Sequence, residues 1–355
     1  MKIIAGISNA HKPEEIQAYA KAGVDEFFVG YIPRIWSDEY GWELSSNRRE
    51  TANYQYRSRN DLANVVDLIH AQKKVVYLTV NAHEYNTQQS KLLIRILNDI
   101  SDIEFDGFII SNVGMLLELQ KNGFNQVMNL SIGVGSNNIE TLQFFRNNFE
   151  NIGRFILPRK LTISEIEKIS GYARENDIRL EAFGMAAFCV FNDEFCFTWH
   201  GPSNKCFCQS PMYEFREMRP LLFDTNWKKE IASEQVGTFY QRQFQIGSEV
   251  ETMRREYIAK HPKANISASE MRKMHVLASL NKCGLCAFQK FKEWGIEAVK
   301  LPLRGQDFRG NIAIIELAKK VIDQPNATPK FCQDLMGSPN FCSGSNCYYD
   351  YPYPK

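Results

Sequence analysis

Ile178–Cys208 reads IRLEAFGMAAFCVFNDEFCFTWHGPSNKCFC. Its first six residues, IRLEAF, read as a buried strand. The remainder carries four of the chain's nine cysteines, Cys189, Cys196, Cys206 and Cys208, spaced C-x6-C, C-x9-C and C-x-C. In a parallel barrel, functional side chains gather on the loops that follow the strand C-termini. A strand running straight into a cysteine-rich loop fits that plan, and the segments on either side decide whether a barrel surrounds it.

Upstream, short apolar runs alternate with amphipathic stretches. Lys2–Ile7, Asp25–Gly30, Lys74–Val80, Phe105–Ser111, Gln126–Ser131 and Gly153–Pro158 read as strands. Pro13–Ala22, Asp61–Gln72, Gln88–Ile100, Val113–Asn122, Ile139–Asn147 and Ser164–Asn176 read as the helices between them. Pro13 falls in the first turn of its helix and Gly23 just after its end. Tyr31–Arg59 is a long segment rich in Trp, Tyr and Arg without a clear period. Downstream, Cys283–Trp294 reads as a helix stopped by Gly295, Ile296–Leu301 as the eighth strand and Gly310–Ile322 as the closing helix. Eight strand–helix units with apolar strands predict an α/β fold, a (β/α)8 TIM-type barrel. A doubly wound open sheet is the alternative, but no G-x-G-x-x-G follows any strand.

The expected organisation is therefore barrel units one to seven over 1–183, a Cys-rich loop and inserted subdomain or lid over 184–282, the last barrel unit over 283–323, and a Cys- and Pro-rich tail over 324–355. About a hundred residues after strand seven exceed a simple loop in a compact domain. The tail has five prolines between Pro325 and Pro354 and three cysteines, Cys332, Cys342 and Cys347. It cannot bury a core of its own, so it is either disordered or tied down by its cysteines.

Composition narrows the function classes. The chain has 355 residues, 44% hydrophobic and 23% charged, with a formal net charge of +1. No bulk field argues for nucleic acid or an anionic membrane. The opening MKIIAGISNAHKPEE has too short an apolar run for a signal peptide, and no window approaches the roughly 18 apolar residues of a membrane span. A cytoplasmic protein with no membrane partner is expected. Thiols stay reduced there, and clustered thiols in such a protein point to metal rather than disulfides.

The candidate metal ligands are Cys189, Cys196, Cys206, Cys208, Cys283 and Cys286, with spacing alone not deciding which four converge. Only Cys283/Cys286 has the clean C-x2-C form of a zinc knuckle. Spaced single cysteines favour an iron–sulfur cluster, which is wide enough to be reached from several segments; zinc is the alternative, and a redox dithiol at Cys283/Cys286 lacks a thioredoxin-like context. Arg159, Lys160, Lys300 and Arg304 lie at or just beyond strand ends, where an anionic substrate would bind; the plain alternative is solvated charge. His83-Glu84 lacks the second His of H-E-x-x-H. His200 is either a proton donor or a solvent-facing loop residue, and Trp36 and Trp42 are either a substrate wall or packing.

Glu181–Cys196 resembles the signature E-x-F-x-x-G-A-x-C-x6-C of the collagenase-like peptidase family, peptidase family U-32. Glu181, Phe183, Ala187, Cys189 and Cys196 fit it. KAGVDEFFVG is similar to the family's A-G-A-D-x-V-Y-x-G, ILPRKLTISEI to its R-E-L-S-x-x-E-I, and WGIEAVKLPLRG to its A-G-V-x-S-x-K-I-E-G-R. The resemblance implies a barrel with a 4Fe–4S cluster. Cys189 and Cys196 carry over as ligands, with Cys206 or Cys208 as a third and Cys283 where another can sit. It further implies oxygen-independent hydroxylation of a small molecule or RNA base, with a heterodimer of two family members in some relatives. Met185-Ala186 stands where His-Gly is often found, and Pro302-Leu303 replaces Glu-Gly, so a mechanism using that His or Glu does not carry over. The other readings are a peptidase, as the family label has it, and a zinc-stabilised binding protein without catalysis. Cys332, Cys342 and Cys347, with one spare upstream cysteine, are enough for a second cluster.

Overall fold

The structure is a computed structural model; it describes residues 1–41, 45–48, 54–185, 193–194, 196, 283–304, 308–336 and 347–349. All of these belong to one compact unit made from Met1–Lys205 and Ser279–Lys355. Trp42, Cys189, His200, Cys206, Cys208, Cys342 and residues 197–282 of the expected insertion lie outside the described residues.

Eight parallel strands close into a barrel in sequence order: β1 (Lys2–Gly6), β2 (Glu26–Gly30), β3 (Val75–Val80), β4 (Gly107–Ile110), β5 (Val127–Leu130), β6 (Ile152–Ile156), β7 (Arg179–Phe183) and β8 (Ala298–Leu301). The seam is made by β1 against β8, with Lys2 opposite Ala298 and Ala5 opposite Leu301. The open-sheet alternative is thereby excluded. Strands in such a barrel are covered on both faces, so they read as nearly continuous apolar runs. EFFVG of β2 is buried at every position.

The helices are α1 (Pro13–Ala22), α2 (Arg34–Tyr40), α3 (Arg59–Ala71), α4 (Thr87–Asp99), α5 (Val113–Lys121), α6 (Ile139–Asn148), α7 (Ile163–Glu175), α8 (Phe288–Glu293), α9 (Phe308–Asp323) and α10 (Pro329–Met336). From α3 to α7 each begins on a side-chain cap that satisfies an otherwise orphaned backbone N–H. Ser58, Asn86, Asn112, Asn138 and Thr162 accept from Asp61, Gln89, Met115, Thr141 and Glu165. Asn86/Gln89 and Thr162/Glu165 are reciprocal capping boxes. Such a cap contributes about 1 kcal/mol each, and it fixes where each loop at the top of the barrel must end. The barrel closes outside as well as inside: α1 packs on α9, and Asn311 donates to the Tyr19 hydroxyl at 2.6 Å.

Two readings need correction. The long second loop contains a helix, α2, that starts just after Pro33 and stops at Gly41; its Trp36 is fully buried and packs as structure. Cys283–Trp294 is not one helix. Cys283 forms an antiparallel bridge with Met185, Leu285–Ala287 is a tight 3-10 turn, and only Phe288–Glu293 is α-helical. Strand-like pairing by Cys283 removes it from the helix that its apolar period suggests.

Candidate functional site at the mouth of the barrel

The barrel axis is filled by charge. Arg154 of β6 contacts Glu26 of β2, lies 3.4 Å from Glu181 of β7 and faces the Tyr77 ring at 5.8 Å. Lys300 of β8 donates to Glu181 at 2.9 Å. All four charged residues are buried, so each needs its partner to offset desolvation. Burial alone would lower the Arg154 pKa, but Glu181 and Glu26 raise it on balance. Burial dominates at Lys300 and lowers its pKa despite Glu181; Arg154 and Arg304 push the same way. Lys300 also stands 4.3 Å from the Phe28 ring centre, and the Arg304 guanidinium 5.6 Å from it. These are cation–π distances.

Above this column, the loops after the strands meet. Gly30 ends β2 with no room for a side chain: a Cβ there would come within 2.1 Å of Gln55 Oε1 and 2.8 Å of Arg304 Nη1. Gln55 and Asn47 pair their amides reciprocally at 2.9 Å in both directions. Asp193 lies on the segment after β7, between Cys189 and Cys196. It accepts two bonds from Arg159, at 2.9 and 2.6 Å, and one from Arg48 at 3.1 Å. Burial would raise the Asp193 pKa, but the two guanidinium groups hold it below the usual carboxylate range. Arg159 also lies 4.7 Å above the Phe183 ring.

His83, on the loop after β3, and Ser111, after β4, flank Gly133. A Cβ on that glycine would meet Ser111 Oγ at 2.7 Å and His83 Cε1 at 3.1 Å. His83 Nε2, Ser111 Oγ and Ser136 Oγ are buried and have no hydrogen-bond partner among the described residues. Burial, and then Arg48, lower the His83 pKa to about 4, against a smaller opposing pull from Asp193. His83 is therefore a neutral imidazole near pH 7, able to accept a proton or a hydrogen bond.

The residues singled out from sequence take the following places. Lys300 and Arg304 are buried on the barrel axis and at its mouth, Arg159 is engaged with Asp193, and Lys160 beside it is exposed. Cys196 is half-buried three residues after Asp193. Cys283 is buried against Met185, at the same end of β7, and Cys286 is half-buried on the following turn. The tail comes to this place too: Cys347 pairs its backbone with that of Cys283, α10 packs on the Leu285–Ala287 turn, and Cys332 of α10 is the first cause that lowers the Cys286 pKa. Among the described residues, no three His, Cys, Asp or Glu side chains group to hold a metal ion. Sequence reasoning missed Arg48, Asp193, Ser111 and the environment of His83. Of these, only Asp193 carried a signal, a lone carboxylate inside the C-x6-C segment.

Residues 11–340 match peptidase family U32. Over 143 residues, 39% of this chain, the sequence is 30% identical to the tRNA hydroxylation protein P of Haemophilus influenzae, covering 30% of that protein. The tRNA hydroxylation protein P of Escherichia coli is 28% identical over 143 residues, with 39% and 30% covered. An uncharacterized protease of Methanocaldococcus jannaschii is 28% identical over 148 residues, with 41% and 35% covered. The matches thus span about a third of those relatives' own lengths. The structure of the U32 peptidase Mk0906 superposes with a TM-score of 0.39 at 14% identity, over 65% of this chain and 84% of that one. Among the described residues, no helix is long and apolar enough to cross a membrane.

Proposed function

This chain belongs to peptidase family U32, and on that footing we propose that it takes part in oxygen-independent hydroxylation of an RNA base, with an iron–sulfur cluster held by its cysteine-rich loop. The observation that carries the reading is the anchoring of that loop. Asp193, within the C-x6-C segment, is held at the barrel mouth by Arg48 and Arg159. The similarity to tRNA hydroxylation proteins supports the choice of RNA over a small molecule.

The described residues suit the group in donor chemistry. Cys196 follows the anchored Asp193, and Cys283 pairs with Met185 just beyond β7, so two thiols come from segments that start at one end of the barrel. Cys189, with Cys206 or Cys208, would complete the set. When bound, such a cluster supplies electron transfer through an all-thiolate site. The chain's own residues do the rest. Arg48, Arg159 and Arg304 draw the phosphate-bearing substrate to the mouth. Neutral His83 takes or returns a proton, and Ser111 and Ser136 orient the base through hydroxyls that have no partner among the described residues.

Anaerobic purification with an absorption spectrum and iron, sulfide and zinc assays, on wild type and Cys189→Ala, tests the cluster. Mass spectrometry of tRNA nucleosides from the host, with and without the gene, tests the substrate. A brown protein that Cys189→Ala bleaches, and a hydroxylated nucleoside that disappears with the gene, are expected. Colourless protein after anaerobic reconstitution, or unchanged nucleosides, would overturn the respective half and return attention to a peptidase or zinc-stabilised binding protein.

A further inference from the structure

Residues 347–349 of the tail are seated on the end of β7 by both backbone and side chain. Met185, Cys283 and Cys347 pair in turn, antiparallel and then parallel, and the Tyr348 N–H donates to the Cys283 carbonyl at 2.9 Å. The buried Tyr349 hydroxyl donates to the Phe183 carbonyl at 2.8 Å, and its ring meets Phe291 edge-on at 5.2 Å. A Cβ on Gly284 would lie 3.0 Å from that tyrosine ring, so the glycine leaves the seat open.

The seat adjoins the clamp on the cysteine-bearing segment. The Phe183 ring centre lies 4.7 Å from the Arg159 guanidinium and 6.2 Å from the Tyr348 ring centre. The first is a cation–π distance and the second an aromatic-pair distance. Arg159 also acts on Tyr349. Burial and then Tyr348 raise the Tyr349 pKa, while the bond to the Phe183 carbonyl and the Arg159 charge oppose them. Arg159 in turn holds Asp193 with two hydrogen bonds. A run of direct contacts therefore leads from the tail through Phe183 and Arg159 to Asp193. A forked pair depends on the plane of the guanidinium, and an aromatic face is a surface on which that plane can rest.

We propose that Tyr348 and Tyr349 are positioning residues for the cysteine-bearing segment, and that the tail is a strap acting through Phe183 and Arg159 on Asp193. The two tyrosines divide the work. Tyr349 fixes the Phe183 backbone through its hydroxyl, and Tyr348 supports the Phe183 ring through its own ring. Phe183 then sets the plane of Arg159, and Arg159 sets Asp193. The strap needs neither metal nor RNA, so it stands apart from the hydroxylation reading and is tested apart from it.

The test is hydrogen exchange by mass spectrometry on the full-length protein, read in the peptide that contains Asp193 and Cys196. The variants are Tyr348→Leu, Tyr348→Phe, Tyr349→Phe, Asp193→Asn and the double variant Tyr348→Leu/Asp193→Asn. A peptide from α4 reports general loosening, because α4 follows β3, four strands round the barrel from β7. Tyr348→Leu and Tyr349→Phe should each speed exchange of the Asp193 peptide about tenfold and leave α4 unchanged. Tyr348→Phe keeps the ring and should exchange as wild type does. In the Asp193→Asn background Tyr348→Leu should add nothing, because the clamp it serves is already gone. Unchanged exchange in Tyr348→Leu and Tyr349→Phe would overturn the proposal. So would the same fold-change from Tyr348→Leu with and without Asp193. Equal acceleration of the α4 peptide would also overturn it, since the tyrosines would then stabilise the fold without serving the clamp.

Discussion

Arg159 grips Asp193 through two parallel hydrogen bonds, at 2.9 and 2.6 Å, and so ties the loop after β6 to the cysteine-bearing segment after β7. A forked guanidinium–carboxylate pair fixes orientation as well as distance. Both partners are largely buried, with 12% and 3% of their side chains exposed. Asp193→Asn keeps the shape but leaves Arg159 and Arg48 facing each other without the carboxylate. Urea melts should show a loss of about 3 kcal/mol, and Cys196 should react faster with a thiol reagent than in wild type. Arg159→Lys should show the same labelling change more weakly, since an ammonium cannot reproduce the fork.

Removing Arg154 takes the guanidinium from two buried carboxylates at once, leaving Glu26 with Lys2 at 2.9 Å. Arg154→Met leaves Glu26 without the guanidinium beside it and Glu181 with Lys300 alone. The expected cost in a denaturant melt is about 4 kcal/mol. Lys300→Met should cost less, because Glu181 keeps Arg154. Arg154→Met combined with Glu26→Gln should recover part of the loss, because one buried charge that has lost a partner is then gone.

Acid should weaken the fold through His83 before it reaches the carboxylates. Burial and Arg48 depress the His83 pKa from 6.5 to about 4. Between those pH values the unfolded chain binds a proton that the folded chain refuses, so stability falls as pH falls. The contribution of neutral His83 is complete above pH 6.5 and is lost as pH approaches 4. His83→Gln should flatten the pH dependence of the urea midpoint across this window, and an unchanged slope would show that His83 does not set it. The depressed Asp193 pKa extends the decline to lower pH, because its paired carboxylate is lost only on further acidification.

Two glycines mark where backbone or ligand-facing groups come too close for a side chain. A Cβ on Gly107 would lie 2.3 Å from the Val127 carbonyl oxygen across the β4–β5 pair. Gly107→Ala must push two paired strands apart, at about 3 kcal/mol. Gly30→Ala meets the tips of Gln55, Arg304 and Asn47 instead. Side-chain ends yield more easily than a strand, so the expected cost is about 1 kcal/mol, and thermal melts of the two variants should keep this order. An inverted order would mean that the amide pair at the mouth is more rigid than the sheet.

The sequence by itself determined the barrel. Strands buried on both faces must be apolar almost throughout, and FIIS, VVYLTV and FILP say so without help from distant residues. Helices announce themselves by period and by caps, as Asn86-x-x-Gln89 and Thr162-x-x-Glu165 do, because capping is local chemistry. What period reports is the buried face, not the neighbour that covers it. Hence α2 escaped, since seven residues after Pro33 give too little period to register. Cys283 looked helical although it pairs as a strand with Met185 and Cys347, contacts that no local pattern encodes. Only the tertiary structure brought Asp193 to Arg48 and Arg159, set Lys300 against Glu181 inside the barrel, and returned Cys332 to Cys286. Those relationships join strands and loops that are neighbours only once the sheet has closed, and closure is a property of the whole ring of hydrogen bonds rather than of any one segment.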